Sequence, residues 1–223
     1  MNDLQVVSQV EWLAARKELL AKEKELTRAR DALRAERQAL PMVKVDKNYT
    51  FEGPSGEVTL LELFEGRRQL IIQHFMFDPE WEEGCPSCTA FVEGLGRSHW
   101  TELAKKNTSY VAVSRAPLVK LEAWKKRKGW TLPWVSSCGS GFNYDYHVTL
   151  DEAVAPPEYN YRSAAEHERL GTSSNRGEQP GFSVFLRDSD EIYHTYSTFA
   201  RGGDHLSSIT MFLDLTPLGR QEG

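Results

Sequence analysis

The chain has few cysteines and no excess of positive charge. Its 223 residues include three cysteines, and its formal net charge at pH 7 is -5. A small secreted domain held by disulfides needs more cysteines than this. A protein that binds nucleic acid through phosphate needs a basic face. We therefore expect neither a structural disulfide framework nor a nucleic-acid partner.

Long apolar segments are also missing. No stretch approaches the roughly 18 apolar residues of a membrane span. The start, Met1-Asn2-Asp3-Leu4, lacks the basic-then-apolar order of a secretion signal. We expect a cytoplasmic protein without a membrane partner. In that reducing compartment, a close pair of cysteines indicates redox catalysis, metal binding or plain burial.

Proline and glycine are absent from residues 8 to 40, which are rich in Ala, Leu, Glu, Lys and Arg. This composition predicts one long helix. The side chains that recur every seven residues are Trp12, Leu19, Leu26, Leu33 and Leu40. The apolar stripe is narrow, so the helix either lies across its own domain or contacts a second subunit in a homodimer. We assign residues 1–41 to this helical arm and residues 42–223 to the main domain.

The main domain alternates between strand-like and helix-like segments. Predicted strands lie at 49–52 and 57–60, which form a hairpin, and at 69–77, 109–114, 182–187 and 192–197. Predicted helices lie at 86–106, 117–128 and about 203–213, and residues 163–179 are predicted to be a polar loop. This alternation predicts the α/β class, with a central mixed sheet flanked by helices.

The motif Cys85-Pro86-Ser87-Cys88 lies between a predicted strand and a predicted helix. A thiol at a helix N-terminus faces unpaired N–H groups and the positive end of the helix dipole, which favour the thiolate. With Cys85 as the N-cap, Pro86 is the first helical residue and Cys88 lies within the first turn. We predict that Cys85 attacks a disulfide and that Cys88 resolves it. Four carboxylates from Asp78 to Glu83 oppose the thiolate, so we expect a Cys85 pKa closer to about 7 than to about 3.5.

The same spacing occurs in half of many zinc sites. A metal would have to recruit Cys138 or the scattered histidines, which are His74, His99, His147 and His194. No close ligand spacing is present, so we predict no metal site and no cofactor. Metal binding and burial without chemistry stay open as minor alternatives. Cys138 is expected to be an inert, small apolar residue.

The order of elements resembles the thioredoxin fold, in which a proline, usually cis, precedes the third core strand and faces the dithiol. Pro180 occupies that position here. The upstream hairpin resembles the peroxiredoxin and thiol-disulfide branch of that superfamily. The resemblance implies that Pro180 shapes the substrate surface.

A closer resemblance covers nearly the whole chain, from the N-terminal helix to Arg220. The motifs that carry it are His74-Phe75-Met76-Phe77, Trp81-Glu82-Glu83-Gly84-Cys85, Val113-Ser114-Arg115-Ala116-Pro117-Leu118, Pro133-Trp134-Val135-Ser136-Ser137, Phe142-Asn143-Tyr144-Asp145, His194-Thr195-Tyr196-Ser197, Ala200-Arg201-Gly202 and Asp214-Leu215-Thr216-Pro217. They resemble the thioredoxin-like family called domain of unknown function 899, whose members are predicted dithiol-disulfide oxidoreductases. The resemblance implies a thioredoxin-like fold and a redox role for Cys85 and Cys88, and it supplies no substrate.

Several aromatic and polar residues are candidates for a substrate cleft beside the dithiol. We predict that Trp81, His194, Tyr196 and Arg201 contact substrate, although core packing is the alternative for each of them. The leading hypothesis is a thiol-disulfide oxidoreductase that acts on a disulfide-containing protein or small molecule. The alternatives are a thiol-dependent peroxidase and a non-catalytic binding module that contacts its partner through the N-terminal helix.

Overall fold

The structure is a computed structural model that describes residues 5–96, 98–172 and 176–220. The chain divides into two units, Met1–Pro41 and Met42–Gly223. The first contains the predicted long helix, α1 (Gln9–Gln38). A capping box starts this helix, because Ser8 and Glu11 each accept a hydrogen bond from the other's backbone N–H. No described residue of α1 is buried, and its leucines at seven-residue spacing are about half exposed.

The second unit is built on a sheet that has eight strands within the described residues. In chain order its strands and helices are β1 (Val43–Lys44), β2 (Thr50–Gly53), β3 (Gly56–Thr59), β4 (Gln69–His74), α2 (Pro86–Gly94), α3 (His99–Ala104), β5 (Thr108–Ser114), α4 (Leu118–Lys128), β6 (Trp134–Ser136), α5 (Phe142–Asp145), β7 (Thr149–Leu150), β8 (Glu158–Tyr159), β9 (Arg162–Ser163), α6 (Ala164–Arg169), β10 (Gly177–Glu178), β11 (Gly181–Asp188), β12 (Glu191–Phe199) and α7 (Ser208–Leu213). The segments Glu62–Phe64 and Ala200–Leu206 form 3-10 helices.

The order of strands in the large sheet is β1-β12-β11-β4-β5-β6-β2-β3. Strands β4, β5 and β6 are parallel, whereas β11 pairs antiparallel with both β4 and β12. The inner part, β5-β4-β11-β12, has α2 after β4 and α4 after β5, which is the thioredoxin-like arrangement. The hairpin of β2 and β3 extends the sheet beyond β6. The predicted α/β class, thioredoxin-like fold and hairpin extension are confirmed.

The sheet separates two apolar clusters, because successive side chains of a strand point to opposite faces. One face carries Leu70, Ile72 and Phe185, which pack with Phe142 and other buried residues. The opposite cluster contains Cys85 and Cys88 together with buried side chains of β5, α4 and β6 and of the segment after β4. The dithiol therefore packs against one defined face of the sheet.

Three predicted segments differ from the structure. The predicted helix at 86–106 is divided into α2 and α3, because Leu95 has an extended backbone beside glycines that weaken the helix. The predicted loop at 163–179 contains α6 and β10 instead, and its residues 173–175 lie outside the described part. The local cause of α6 is a capping box of Ser163 and Glu166. The predicted last helix is a 3-10 segment followed by the short α7.

Candidate active site

The dithiol lies where the chain returns to the carboxyl end of β4. The backbone N–H of Cys85 donates to the carbonyl oxygen of Met76 at 3.0 Å, which anchors the start of α2 beside β4. Only glycine fits at Gly84, because a Cβ atom there would lie 2.8 Å from the ring of Phe75. Cys85 is the N-cap of α2, and Pro86 is the first helical residue. The dithiol therefore stands at a helix N-terminus.

The pKa values of the two thiols are shifted in opposite directions. The pKa of Cys85 is lowered to about 6, chiefly by a hydrogen bond from the Cys88 thiol, with smaller help from the N–H groups of Cys88 and Ser87. These N–H groups do not complete a capping hydrogen bond, so they act mainly as dipoles directed at the sulfur. The hydrogen bond to Cys85 and burial raise the pKa of Cys88. Cys85 is thus the thiolate and Cys88 the thiol at neutral pH.

The acidic run before the dithiol does not dominate the acidity of Cys85. Glu83 pairs with Arg127 at 2.7 Å, and Glu82 lies 3.6 Å from the ammonium of Lys120. These cations offset much of the negative charge that we expected to disfavour the thiolate. The pKa of Cys85, about 6, lies closer to about 7 than to about 3.5, as predicted.

A cavity of about 520 Å³ opens beside Cys88. Its walls are the first turns of α2, the start of β11 and the segment from residue 200 to residue 210. Cys88, Phe91, Pro180, Phe182 and Ile209 are among its lining residues, so most of the wall is apolar. A volume of this size and character is typical of a small-ligand site.

Two predicted site residues share this cavity with Cys88. Pro180 forms part of the wall, but no peptide bond among the described residues is cis, so the bond before Pro180 is trans. Arg201 lies at the rim with its side chain 88% exposed, and its Nε atom is 3.3 Å from the carboxylate of Asp204. The structure therefore brings Cys88, Pro180 and Arg201 together.

His194 does not lie beside the dithiol. Its ring packs against Tyr146 and Phe185, on the sheet face opposite the cluster of Cys85 and Cys88. The cause is a bulge that leaves Thr195 without a register partner, because Tyr196 pairs with Val184 and His194 with Phe185. A bulge reverses the alternation of side chains, so His194 and Tyr196 lie on opposite faces.

The remaining candidates occupy different surroundings. Tyr196 shares its face with Phe182, which contacts Phe91 of α2. Trp81 is 40% exposed in the loop before Cys85, and its carbonyl oxygen accepts a hydrogen bond from Lys120. Neither is among the residues that line the cavity.

Cys138 is an exposed free thiol. It borders a separate depression beside β2 and β3. It is therefore a surface cysteine, and its expected lack of reactivity stays a prediction.

The family described as "Bacterial protein of unknown function (DUF899)" matches residues 1–223. This chain belongs to the DUF899 family. No curated protein matches the DUF899 chain significantly.

Solved structures show distant likeness to the DUF899 chain. A structure of the bacterioferritin comigratory protein of Xanthomonas campestris, a protein with alkyl peroxide reduction activity, has a TM-score of 0.45 and 13% identity, and the match covers 72% of this chain and 87% of that one. Peroxidoxin BcpB of Mycobacterium tuberculosis has a TM-score of 0.45 and 13% identity, and the match covers 76% of this chain and 94% of that one. A putative protein disulfide isomerase of Bacteroides thetaiotaomicron has a TM-score of 0.41 and 17% identity, and the match covers 79% of this chain and 88% of that one. Likeness at this level carries no conclusion about the chemistry of the DUF899 chain.

The DUF899 chain also buries a carboxylate that the sequence did not single out. The side chain of Glu178 is only 2% exposed and lies 3.4 Å from the guanidinium of Arg115. Thr149 donates to the same carboxylate, and Asn143 contacts it at 3.4 Å. Burial raises the pKa of Glu178 to about 7, although Arg115 and these hydrogen bonds lower it. No local signal marks Glu178, because its partners come from the residue after β5, from α5 and from β7.

A buried hydrogen-bonded chain crosses β4, β11 and β12 of the DUF899 fold. His74 bonds to Ser183 at 2.8 Å, Ser183 to Ser197 at 2.8 Å, and Ser197 to His194 at 2.7 Å. We call these four residues the histidine–serine chain. It explains why polar side chains lie in the buried centre of the sheet. The sequence offers no sign of it, since its members are far apart along the chain.

Residues 5–96, 98–172 and 176–220 contain no group of three or more His, Cys, Asp or Glu side chains arranged to hold a metal ion. Within the same ranges, no helix has the length and apolar character needed to cross a bilayer.

Proposed function

We propose that this protein is a dithiol-disulfide oxidoreductase in which Cys85 attacks and Cys88 resolves. The observation that carries the proposal is the difference in acidity within a close pair. A thiolate at the N-cap of α2 is hydrogen-bonded to a thiol that stays protonated and borders a cavity. A low-pKa thiolate is the nucleophile in thiol-disulfide exchange, and a neighbouring thiol completes the exchange.

The proposed reaction transfers two electrons from the dithiol to a substrate disulfide. The Cys85 thiolate forms a bond to one substrate sulfur, and the other sulfur leaves as a thiolate that takes up a proton. The Cys88 thiol then loses its proton and attacks the Cys85 sulfur, which forms the Cys85–Cys88 disulfide and releases the second substrate thiolate. A dithiol reductant must return the enzyme to its reduced state before the next cycle.

We further propose that the cavity beside Cys88 holds the group attached to the attacked sulfur. Cys88 lines the cavity and Cys85 caps the same helical turn, so a ligand in the cavity would lie beside the dithiol. The apolar wall, which includes Pro180, favours an apolar substituent, and Arg201 at the rim can contact an acidic one. The substrate is a disulfide of a protein or a small molecule.

A thiol-dependent peroxidase is the second candidate. The low pKa of Cys85 also favours attack on a peroxide, which would give a sulfenic acid and an alcohol or water. Cys88 would then condense with the sulfenic acid, releasing water and forming the same disulfide. The two candidates therefore differ in the oxidant and in whether a sulfenic acid forms.

The test compares Cys85→Ser, Cys88→Ser and Cys138→Ser in the reduction of insulin and of a small disulfide by a dithiol donor. Turnover should fall at least a hundredfold in the first two variants and remain within twofold of wild type in Cys138→Ser, because Cys138 lies at a separate surface. Unchanged turnover in Cys85→Ser would contradict an enzymatic role and favour a binding module. Peroxide-dependent labelling of a Cys85 sulfenic acid in Cys88→Ser, without disulfide turnover, would favour the peroxidase.

A further inference from the structure

Tyr159 connects two walls of the cavity. Its hydroxyl donates to the carbonyl oxygen of Pro180 at 3.0 Å and accepts from the backbone N–H of Ala200 at 3.0 Å. Both Pro180 and Ala200 line the cavity, at the same end of the antiparallel strand pair, where Gly181 of β11 pairs with Phe199 of β12. A single buried phenol thus joins the start of β11 to the segment that follows β12.

The local backbone is built to present this phenol. Asn160 and Tyr161 both have positive φ, at 50° and 62°, which is the requirement of the tight two-residue turn between β8 and β9. The ring of Tyr159 lies edge-on to that of Phe199, with their centroids 5.6 Å apart. Turn and ring packing together fix the direction of the hydroxyl.

The cavity wall at Ala200 needs such a restraint. Ala200 has a φ of 47°, in the left-handed region, which is strained for a residue with a Cβ atom. The bond from its N–H to Tyr159 supports this conformation at the start of the 3-10 segment, which continues to Arg201 at the rim. Loss of the hydroxyl would leave that N–H without its partner.

Burial is the main influence on the acidity of Tyr159. It raises the pKa of Tyr159 to about 12, and the Ala200 amide lowers it by less. Tyr159 therefore stays protonated at neutral pH and can donate to Pro180 throughout the proposed cycle.

We propose that Tyr159 is a positioning residue that sets the shape of the cavity by holding Pro180 and Ala200, a role that rests on the proposed function. The hairpin of β8 and β9, which carries Tyr159, thereby supports the cavity walls. Tyr159 does not touch the reacting sulfurs in this role, so it acts on substrate binding and not on the acidity of Cys85.

The test compares Tyr159→Phe with a matched control, Tyr161→Phe. Both rings lie 5.6 Å from Phe199, but the Tyr161 hydroxyl donates to the carbonyl oxygen of Ser197, away from the cavity. In disulfide reduction, Tyr159→Phe should raise KM at least fivefold and leave kcat within about twofold of wild type. The midpoint of the Cys85 thiolate titration should stay within about 0.3 pH unit of wild type. Tyr161→Phe should leave KM unchanged.

Amide hydrogen exchange supplies a second readout in the same variants. Exchange at Ala200 should become about tenfold faster in Tyr159→Phe and stay at the wild-type rate in Tyr161→Phe, because only the first loses the acceptor. An unchanged KM, or unchanged exchange at Ala200, would overturn the proposed role. Failure of the proposed function would show differently, as turnover that survives in Cys85→Ser.

Discussion

Removal of the Cys88 thiol should make Cys85 a weaker acid. The hydrogen bond from Cys88 is the largest cause that lowers the pKa of Cys85 to about 6. A hydrogen bond to a charged group contributes about 1.5–3 kcal/mol, and one pKa unit corresponds to about 1.4 kcal/mol. Cys88→Ala should therefore bring the pKa of Cys85 to between about 7 and about 8.

The assay is the rate of alkylation of Cys85 by iodoacetamide as a function of pH. All variants carry Cys138→Ser, because Cys138 is an exposed thiol that would also react. At pH 6 about half of the wild-type Cys85 is thiolate. The expected change in pKa reduces that fraction, and hence the rate at this pH, by about 5-fold to about 50-fold. Cys88→Ser should lie between the two, since its hydroxyl can still donate.

The result that would refute this reasoning is a Cys88→Ala midpoint within about half a pH unit of wild type. The acidity of Cys85 would then come from the N–H groups at the start of α2, and the two thiols would be electrostatically independent. The assignment of Cys88 as the proton-holding partner would lose its basis.

Three further outcomes are expected. Glu178→Gln should flatten the pH dependence of stability. Because burial raises the pKa of Glu178 to about 7, the wild-type protein loses stability as pH rises from about 4.5 to about 7. Urea denaturation at pH 5 and pH 8 measures this loss in both proteins. Ser183→Ala, which interrupts the histidine–serine chain, should lower the free energy of unfolding by about 1–3 kcal/mol, whereas the exposed Ser55→Ala should change it by less than about 0.5 kcal/mol. We propose that the exposed leucines of α1 pair with a second copy, so Leu26→Asp should yield a monomer in sedimentation velocity, and a monomeric wild type would contradict that pairing.

Local sequence signals predicted the elements whose causes are local. The cap formed by Cys85 and Pro86, the glycine-free helix α1 and the hairpin of β2 and β3 each depend on neighbours in sequence, and the structure contains all three. The capping box of Ser163 and Glu166 is equally local, but the polar residues around it give no apolar pattern that would indicate a helix.

Features that depend on distant residues could not be predicted in this way. The position of His194 depends on a bulge between β11 and β12, and period-two alternation alone places it on the wrong face. The burial of Glu178 and the bridge made by Tyr159 depend on contacts with residues that are 21 to 63 positions away. No local pattern distinguishes these residues from ordinary polar or aromatic ones.

Trapping of the mixed disulfide tests the central claim most directly. Cys88→Ser in the Cys138→Ser background is incubated with a small aromatic disulfide at pH 7, and the intact mass and peptide map are determined. The account predicts one adduct per chain, located on Cys85 and released by a dithiol. Failure to form an adduct on Cys85 in the folded protein would contradict the assignment of Cys85 as the attacking thiolate.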